Sequence, residues 1–153
     1  MTLDDIVDLV GSFEGTVAQR PREGDGTPEL AWGDVFFYYS PDGTIPTTVQ
    51  PFATIVTKNY PGDELSRLER SDAFRVNVVA SKQDFEQLLG VPAREAARAP
   101  QADADDTLAA HPQYGTAGWI CVVNPASQTR SQVQELLASA YAVAKGRFER
   151  HQP

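Results

Sequence analysis

The first apolar positions fall at helical spacing, with Leu3, Ile6, Val7 and Val10 on one face, Thr2 and Asp5 in a capping-box pattern ahead of them, and Gly11 behind. The spacing predicts a helix over 3–11. Gly15 to Arg20 alternates weakly and predicts a short strand, and the Gly, Pro and Asp content of 21–28 predicts a loop. The strongest β signal follows, where Leu30-Ala31-Trp32 and Val35-Phe36-Phe37-Tyr38-Tyr39 flank Gly33-Asp34. Aromatic and β-branched side chains suit a pleated, half-buried surface. Ser40-Pro41-Asp42-Gly43 has the chemistry of a reversing turn.

Phe52 to Thr57 is the next expected strand, residues 65–70 read as a short helical turn, and Phe74 to Val79 alternates like a strand with one wet face. Ser81 with Asp84 opens a helix over 82–89 that Gly90 closes. Residues 91–106, rich in Ala, Arg, Pro and Asp without an apolar period, read as a mobile connection. Trp119 to Val123 reads as a core strand ended by Asn124-Pro125. Val133, Leu136, Leu137, Ala140, Tyr141, Ala144 and Phe148 then form the longest helical stripe, with Thr129 and Gln132 as its expected cap and Lys145, Arg147 and Arg150 at its negative end. Strands joined by short turns and followed by helix, strand and helix predict a single α+β domain over 1–153, an antiparallel β-sheet with helices packed on one face.

Composition narrows the function classes. A chain of 153 residues, 41% hydrophobic and 22% charged, can build a core without staples. No apolar run approaches the roughly 20 residues of a membrane span, and Met1-Thr2-Leu3-Asp4-Asp5 lacks the basic start of a signal peptide, so a cytoplasmic protein without a membrane partner is expected. Cys121 is the only cysteine, which leaves no internal disulfide or cysteine zinc site, and its place in an apolar strand predicts burial. The net charge is −8, with nine acids against Arg20 and Arg22 in the first fifty residues. Phosphate backbones are bound mainly by Lys and Arg, so nucleic acid is a disfavoured partner.

Several segments carry a resemblance. Phe74 to Lys82, Trp119-Ile120-Cys121-Val122 and Ser139-Ala140-Tyr141 are similar to the C-terminal half of MmcQ/YjbR-like proteins. Trp32-Gly33-Asp34-Val35-Phe36-Phe37-Tyr38-Tyr39, Pro51 to Val56, Phe74-Arg75-Val76-Asn77 and His111-Pro112-Gln113-Tyr114 resemble an uncharacterised bacterial family known only as a domain of unknown function, over nearly the whole chain. The resemblance implies an MmcQ/YjbR-like sheet flanked by helices, of the type shared with frataxin-like (CyaY-like) proteins. It also implies a DNA-binding label, which is analogy of fold and not of site.

Among candidate chemistry, His111 stands out, in a His-Pro-Gln-Tyr-Gly run just ahead of a core strand. It suits either an acid–base role, with Asp34 or Asp42 as partner, or the capping of a turn through a backbone hydrogen bond. Asp103, Asp105 and Asp106 with His111 match no metal motif, and no nucleophile elbow or phosphate loop is present, so no catalytic residue, metal or cofactor is assigned. Lys58, Arg75 and Asn77 are expected to hold a carboxylate or phosphate if they share a sheet face, or else to pair with Asp63, Glu64, Glu69 and Asp72. Alternation puts Phe36 and Tyr38 on the sheet face opposite Phe37 and Tyr39, so one pair lines a pocket or a second core layer under 91–106. These features favour a non-enzymatic module for a small molecule or a protein partner, with Trp32, Tyr38, Lys58, Arg75, Asn77, His111, Tyr114 and Trp119 as the candidate ligand-binding set. Oligomeric state is left open.

Overall fold

The structure is a computed structural model that describes residues 1–152. In chain order it contains α1 (Leu3–Gly11), β1 (Thr16–Gln19), β2 (Val35–Tyr39), β3 (Ala53–Val56), β4 (Arg75–Val79), α2 (Lys82–Leu89), β5 (Ala109–Ala110), β6 (Trp119–Val123) and α3 (Arg130–Arg150). The strands form one six-stranded antiparallel sheet in the order β1-β2-β3-β4-β6-β5, which is the expected α+β arrangement.

Strand period 2 sorts the sheet into two faces. Val35, Phe37, Ala53, Ile55, Val76, Val78, Ile120 and Val122 point to one face and are buried against Ile6 and Val10 of α1, Phe85 and Leu89 of α2, and Val133, Leu136, Leu137 and Ala140 of α3. All three helices therefore cover the same face. Tyr39 joins this layer, its ring edge-on to Tyr141 and Phe148 of α3 at centroid distances of 5.8 and 5.3 Å. The register aligns Phe36, Thr54, Asn77, Cys121 and Ala109 across the opposite face, with Arg75 beside Val56 and Val123 one row along.

The local signals explain most element ends. Thr2 Oγ1 accepts from the Asp5 N–H at 3.0 Å and the Asp5 carboxylate accepts from the Thr2 N–H at 2.8 Å, closing the capping box of α1. Ser81 Oγ accepts from the Asp84 N–H at 3.0 Å at the start of α2, and Gly90 ends that helix at φ +81, a left-handed conformation that an L side chain resists.

Four expectations are corrected. Leu30-Ala31-Trp32 is not strand: Glu29–Ala31 is a 3₁₀ turn started by Pro28 and released by Gly33 at φ +89. Residues 65–70 form turns without a helix, because Arg67 at φ 51, followed by Asp72 at φ 60, breaks the right-handed path. The 91–106 segment contains a packed element, the 3₁₀ stretch Ala93–Arg98, and buries Ala96, Ala99 and Ala102. Alanines bury by close approach and leave no apolar period in the sequence. Thr129 does not cap α3 with its own side chain. Asp106 instead holds the turn that leads into α3 from across a loop, accepting from the N–H groups of Ala126, Gln128 and Thr129 at 2.8–3.0 Å and from the Thr129 hydroxyl at 2.6 Å.

That remote clasp has a measurable weight. Asp106→Ala removes the side-chain acceptor of the turn that leads into α3 and is expected to destabilise the fold by about 2 kcal/mol. Asp106→Asn, which tolerates the φ of +51 at this position and keeps one side-chain oxygen, is expected to lose less than half of that. Urea unfolding midpoints of the two variants check the order, and equal losses would assign the clasp to charge alone.

Candidate functional site

The helix-free face of the sheet divides into two parts. Toward β5, Cys121, Val123 and Ala109 are sealed under Leu68, Ala73 and Ala102, a second small core. Toward β2, an open cleft of about 590 Å³ is walled by Phe36, Val56, Tyr60, Tyr114 and Trp119, with Pro28, Leu30 and Ala31 at one margin and Gln113 and Ala117 at another. Thr54, Arg75, Asn77, Asp63 and His111 supply its polar lining. Phe36 lines the cleft, whereas the second small core takes in neither Phe36 nor Tyr38.

Arg75 organises the polar part. It is 1% exposed, at the first position of β4, and its fork binds the Asp63 carboxylate through two bonds of 2.9 and 2.7 Å. Nη1 also donates to Ser66 Oγ at 3.0 Å, and Nε donates to Asn77 Oδ1 at 2.9 Å. Ser66 in turn donates to the Ala102 carbonyl at 2.8 Å, which ties the 61–73 strap to the segment beside it. Burial opposes the Asp63 carboxylate, but the Arg75 guanidinium outweighs it and holds the carboxyl below the usual range. The pair is planar, bidentate and internally neutral, the form in which a buried ion pair is tolerated.

His111 sits against this pair on a turn fixed by three backbone features. Its N–H donates to the Trp119 carbonyl at 3.0 Å, its carbonyl accepts from Gly115, and Gly115 packs so closely that an added Cβ would lie 3.0 Å from that of Ala96. The imidazole is 7% exposed and tilts against the Tyr114 ring at 4.9 Å. Nδ1 accepts from the Gln113 and Tyr114 N–H groups, both at 3.1 Å, so it carries a lone pair and the neutral ring carries its proton on Nε2. Nε2 lies 3.4 Å from Arg75 Nη2, which is itself only a donor. Burial first, and the Arg75 charge second, push the imidazolium down to about 4, against a smaller opposite pull from Asp63. The turn-capping role of His111 is realised, and no carboxylate hydrogen-bonds to it among the described residues.

Asp34 and Asp42 are committed elsewhere. Asp34, fully buried, accepts from the Thr57 N–H and hydroxyl at 2.8 and 2.9 Å, from Lys58 Nζ at 2.9 Å and from the Tyr60 hydroxyl. Burial first, and Asp34 second, raise the Tyr60 hydroxyl well above the usual phenol range, so Tyr60 stays a neutral donor. Asp42 folds back on Thr44 and Ser40. Asp105 bonds Arg70 and Asn124, Asp106 holds the turn into α3, and no cluster of three metal-ligating side chains occurs among the described residues. Cys121 is buried and its thiol is pushed up to about 12, chiefly by burial.

Of the eight candidate residues, Arg75, Asn77, His111, Tyr114 and Trp119 line the cleft together. Lys58 stands behind it, holding Asp34 and the Trp32 carbonyl at 2.7 Å and not a free anion. Trp32 lines a separate depression with Arg20, Pro21 and Arg22, because the 3₁₀ turn before it swings its ring away from the cleft. Tyr38 shares the sheet face with Phe36 but sits one pair further along β2, opposite Val17, and is buried outside the lining. The candidate set did not include Thr54 and Val56, and Asp63 entered the sequence analysis only as one of four acids that could pair with Arg75. Thr54 and Val56 were accessible through the alternation of β3, whereas Asp63 lies in a turn and carries no local signal.

Two outcomes follow from the network. Asp63→Ala leaves the Arg75 charge buried and unpaired and is expected to cost about 3–5 kcal/mol, read as a collapse of the urea midpoint. The acid limb is set in part by His111: the unfolded chain protonates this ring near 6.5 and the folded one near 4. Between those values the unfolded state holds the extra proton, so stability falls as pH drops through this window, by on the order of 3 kcal/mol in all, and His111 has no effect above pH 7. His111→Asn, whose amide oxygen replaces the Nδ1 acceptor, is expected to flatten the slope between pH 6.5 and 4; an unchanged slope would assign it to other groups.

No helix among the described residues is long and apolar enough to cross a membrane. No curated protein and no solved structure matches the chain. A family model matches from the first residue to the last, covering the helical layer, the sheet and the cleft alike. On that match, over residues 1–153, the chain belongs to the family of unknown function DUF6194.

Proposed function

We propose that the chain is a non-enzymatic small-ligand-binding module whose site is the cleft on the helix-free face of the sheet. One observation carries the reading: an aromatic-walled cleft of about 590 Å³ lies directly over a buried, hydrogen-bonded polar network on rigid strands. Small-molecule sites have this make-up, mostly apolar walls with a few convergent polar groups, and this volume falls in their usual range. Phe36, Trp119 and Tyr114 offer flat surfaces for a planar ligand, while Asn77, Arg75 and His111 fix polar positions beneath it.

The reading as an enzyme using His111 is weaker, because the imidazole has its Nδ1 occupied by backbone donors and faces a cation at Nε2. A general base needs a free lone pair within reach of the proton it removes. The DNA-binding reading that an MmcQ/YjbR-like kinship would bring is also weaker on this face. Lys58, Arg70 and Arg75 are each matched to a carboxylate, and the net charge of −8 opposes a phosphate backbone.

A mixed-charge library of small aromatic fragments, titrated into ¹⁵N-labelled protein, is expected to shift the amides of Phe36, Thr54, Asn77 and Trp119. Ala117→Trp places a large ring at the exposed cleft margin without touching the core and is expected to weaken those hits at least about tenfold with an unchanged melting temperature. Shifts confined to other surfaces, or undiminished binding to the A117W protein, would count against the cleft.

A further inference from the structure

The hydrogen-bond polarity of the cleft floor follows from Arg75, a group that can only donate. Its Nε takes Asn77 Oδ1, which fixes the orientation of that amide. Asn77 Nδ2 then donates one hydrogen to Thr54 Oγ1 at 3.0 Å. Thr54 therefore acts as acceptor toward Asn77, and its own O–H hydrogen has no acceptor among the described residues. The second Nδ2 hydrogen of Asn77, a side chain 1% exposed, has none either.

The same rule applies at the other side of Arg75. Nη2 gives one hydrogen to Asp63 and points the other toward His111 Nε2. The two backbone donors on Nδ1 require that Nε2 carry hydrogen, so Arg75 and His111 meet donor to donor across 3.4 Å. Four donor hydrogens thus border one cleft: on Thr54, on Asn77, on Arg75 and on His111. The acceptors there, Asn77 Oδ1, both Asp63 oxygens and His111 Nδ1, already hold bonds from the protein.

Charge runs the other way from what four donors alone would suggest. Arg75 and Asp63 are the charged side chains of the lining, and they cancel. Lys58 behind the wall is cancelled by Asp34. An anion would enter a site with no uncompensated cation, in a protein of net charge −8, and would lose hydration without a counter-charge. An ammonium would face the four donors of the floor, with the Gln50 and Gln113 amide oxygens of the lining as its uncommitted acceptors.

Resting on the ligand-binding reading above, we propose that the cleft takes an uncharged, flat small molecule that presents hydrogen-bond acceptors, a carbonyl or an unprotonated ring nitrogen, to Thr54, Asn77, Arg75 and His111. The aromatic walls hold the plane of the molecule, and the donor floor selects the edge it turns inward. Binding relieves the Arg75–His111 conflict, because one acceptor between the two bonds both.

Three probes with the same ring test this: acetophenone, benzoate and benzylamine, each titrated at millimolar concentration into the full chain at pH 7.5 and followed by NMR. Acetophenone is expected to bind about tenfold more tightly than either charged probe and to move the His111 Nε2–H resonance downfield. Benzoate or benzylamine binding as well as acetophenone would overturn the uncharged-acceptor assignment and leave the cleft as a binding site. If none of the three perturbs the cleft amides, both the assignment and the binding reading fall. Thr54→Ser is expected to keep the acetophenone affinity and Thr54→Val to lower it about fivefold; a valine variant that binds like the parent would overturn the donor role of Thr54.

Discussion

A guanidinium placed in the middle of a β-sheet is the constraint to which the rest of this structure is fitted. Arg75 comes from a central strand and is 1% exposed, a position where an uncompensated charge would unfold the domain. Its fork therefore dictates what satisfies it: a carboxylate brought in from the 61–73 strap, a serine from the same strap and an amide two residues along the strand. The strap without helix or strand is held because it delivers Asp63 and Ser66, and the short 111–115 turn is held by its own bonds to the Trp119 carbonyl and to the His111 ring. Irregular backbone is kept here by polar bonds, whereas the helical layer is kept by apolar contact.

The two faces of the sheet thus solve different problems. One buries Val, Ile, Leu and Phe from strands and three helices, with no demand for direction. The other has no helix to cover it, so part is closed by alanines and Leu68 and part is left as a cleft over a directional network. A rigid floor of this kind is a precondition for selective binding, since donors whose positions are fixed by buried bonds do not rearrange to suit a poor ligand.

What the sequence made legible follows the same division. Capping boxes, a left-handed glycine stop, strand alternation and the stripe of α3 are local signals, and they located the three helices and every strand except the two-residue β5. Alternation also separated Phe36 and Tyr38 from Phe37 and Tyr39 correctly. The errors have two sources: Leu30-Ala31-Trp32 has strand-like residues but obeys its neighbours Pro28 and Gly33, and the entry to α3 is held by Asp106 from another segment. In the site, Arg75, Asn77 and His111 attracted notice as polar residues beside strands, yet the partner of Arg75 was one acid among several nearby. Choosing Asp63 over Glu64, Glu69 or Asp72 needs the register of the strap, which no periodicity encodes. Trp32 lies in a separate depression after the 3₁₀ turn, and Tyr38, on the face that alternation gave it, sits one pair too far along β2 to reach the cleft.

The Asp106 clasp has a further consequence for how the chain can be altered. Because its oxygens hold the start of α3 while its neighbour Asp105 bonds Arg70 and Asn124, the segment behind the sheet is stitched to the helix in front of it. Residues 99–106 look like the natural place to open the chain for a tag, a cut or a circular permutation, and they are among the worst. The turns at Gly24-Asp25-Gly26 and Pro41-Asp42-Gly43, whose hydrogen bonds close on themselves, are the joints where new termini would leave both layers intact.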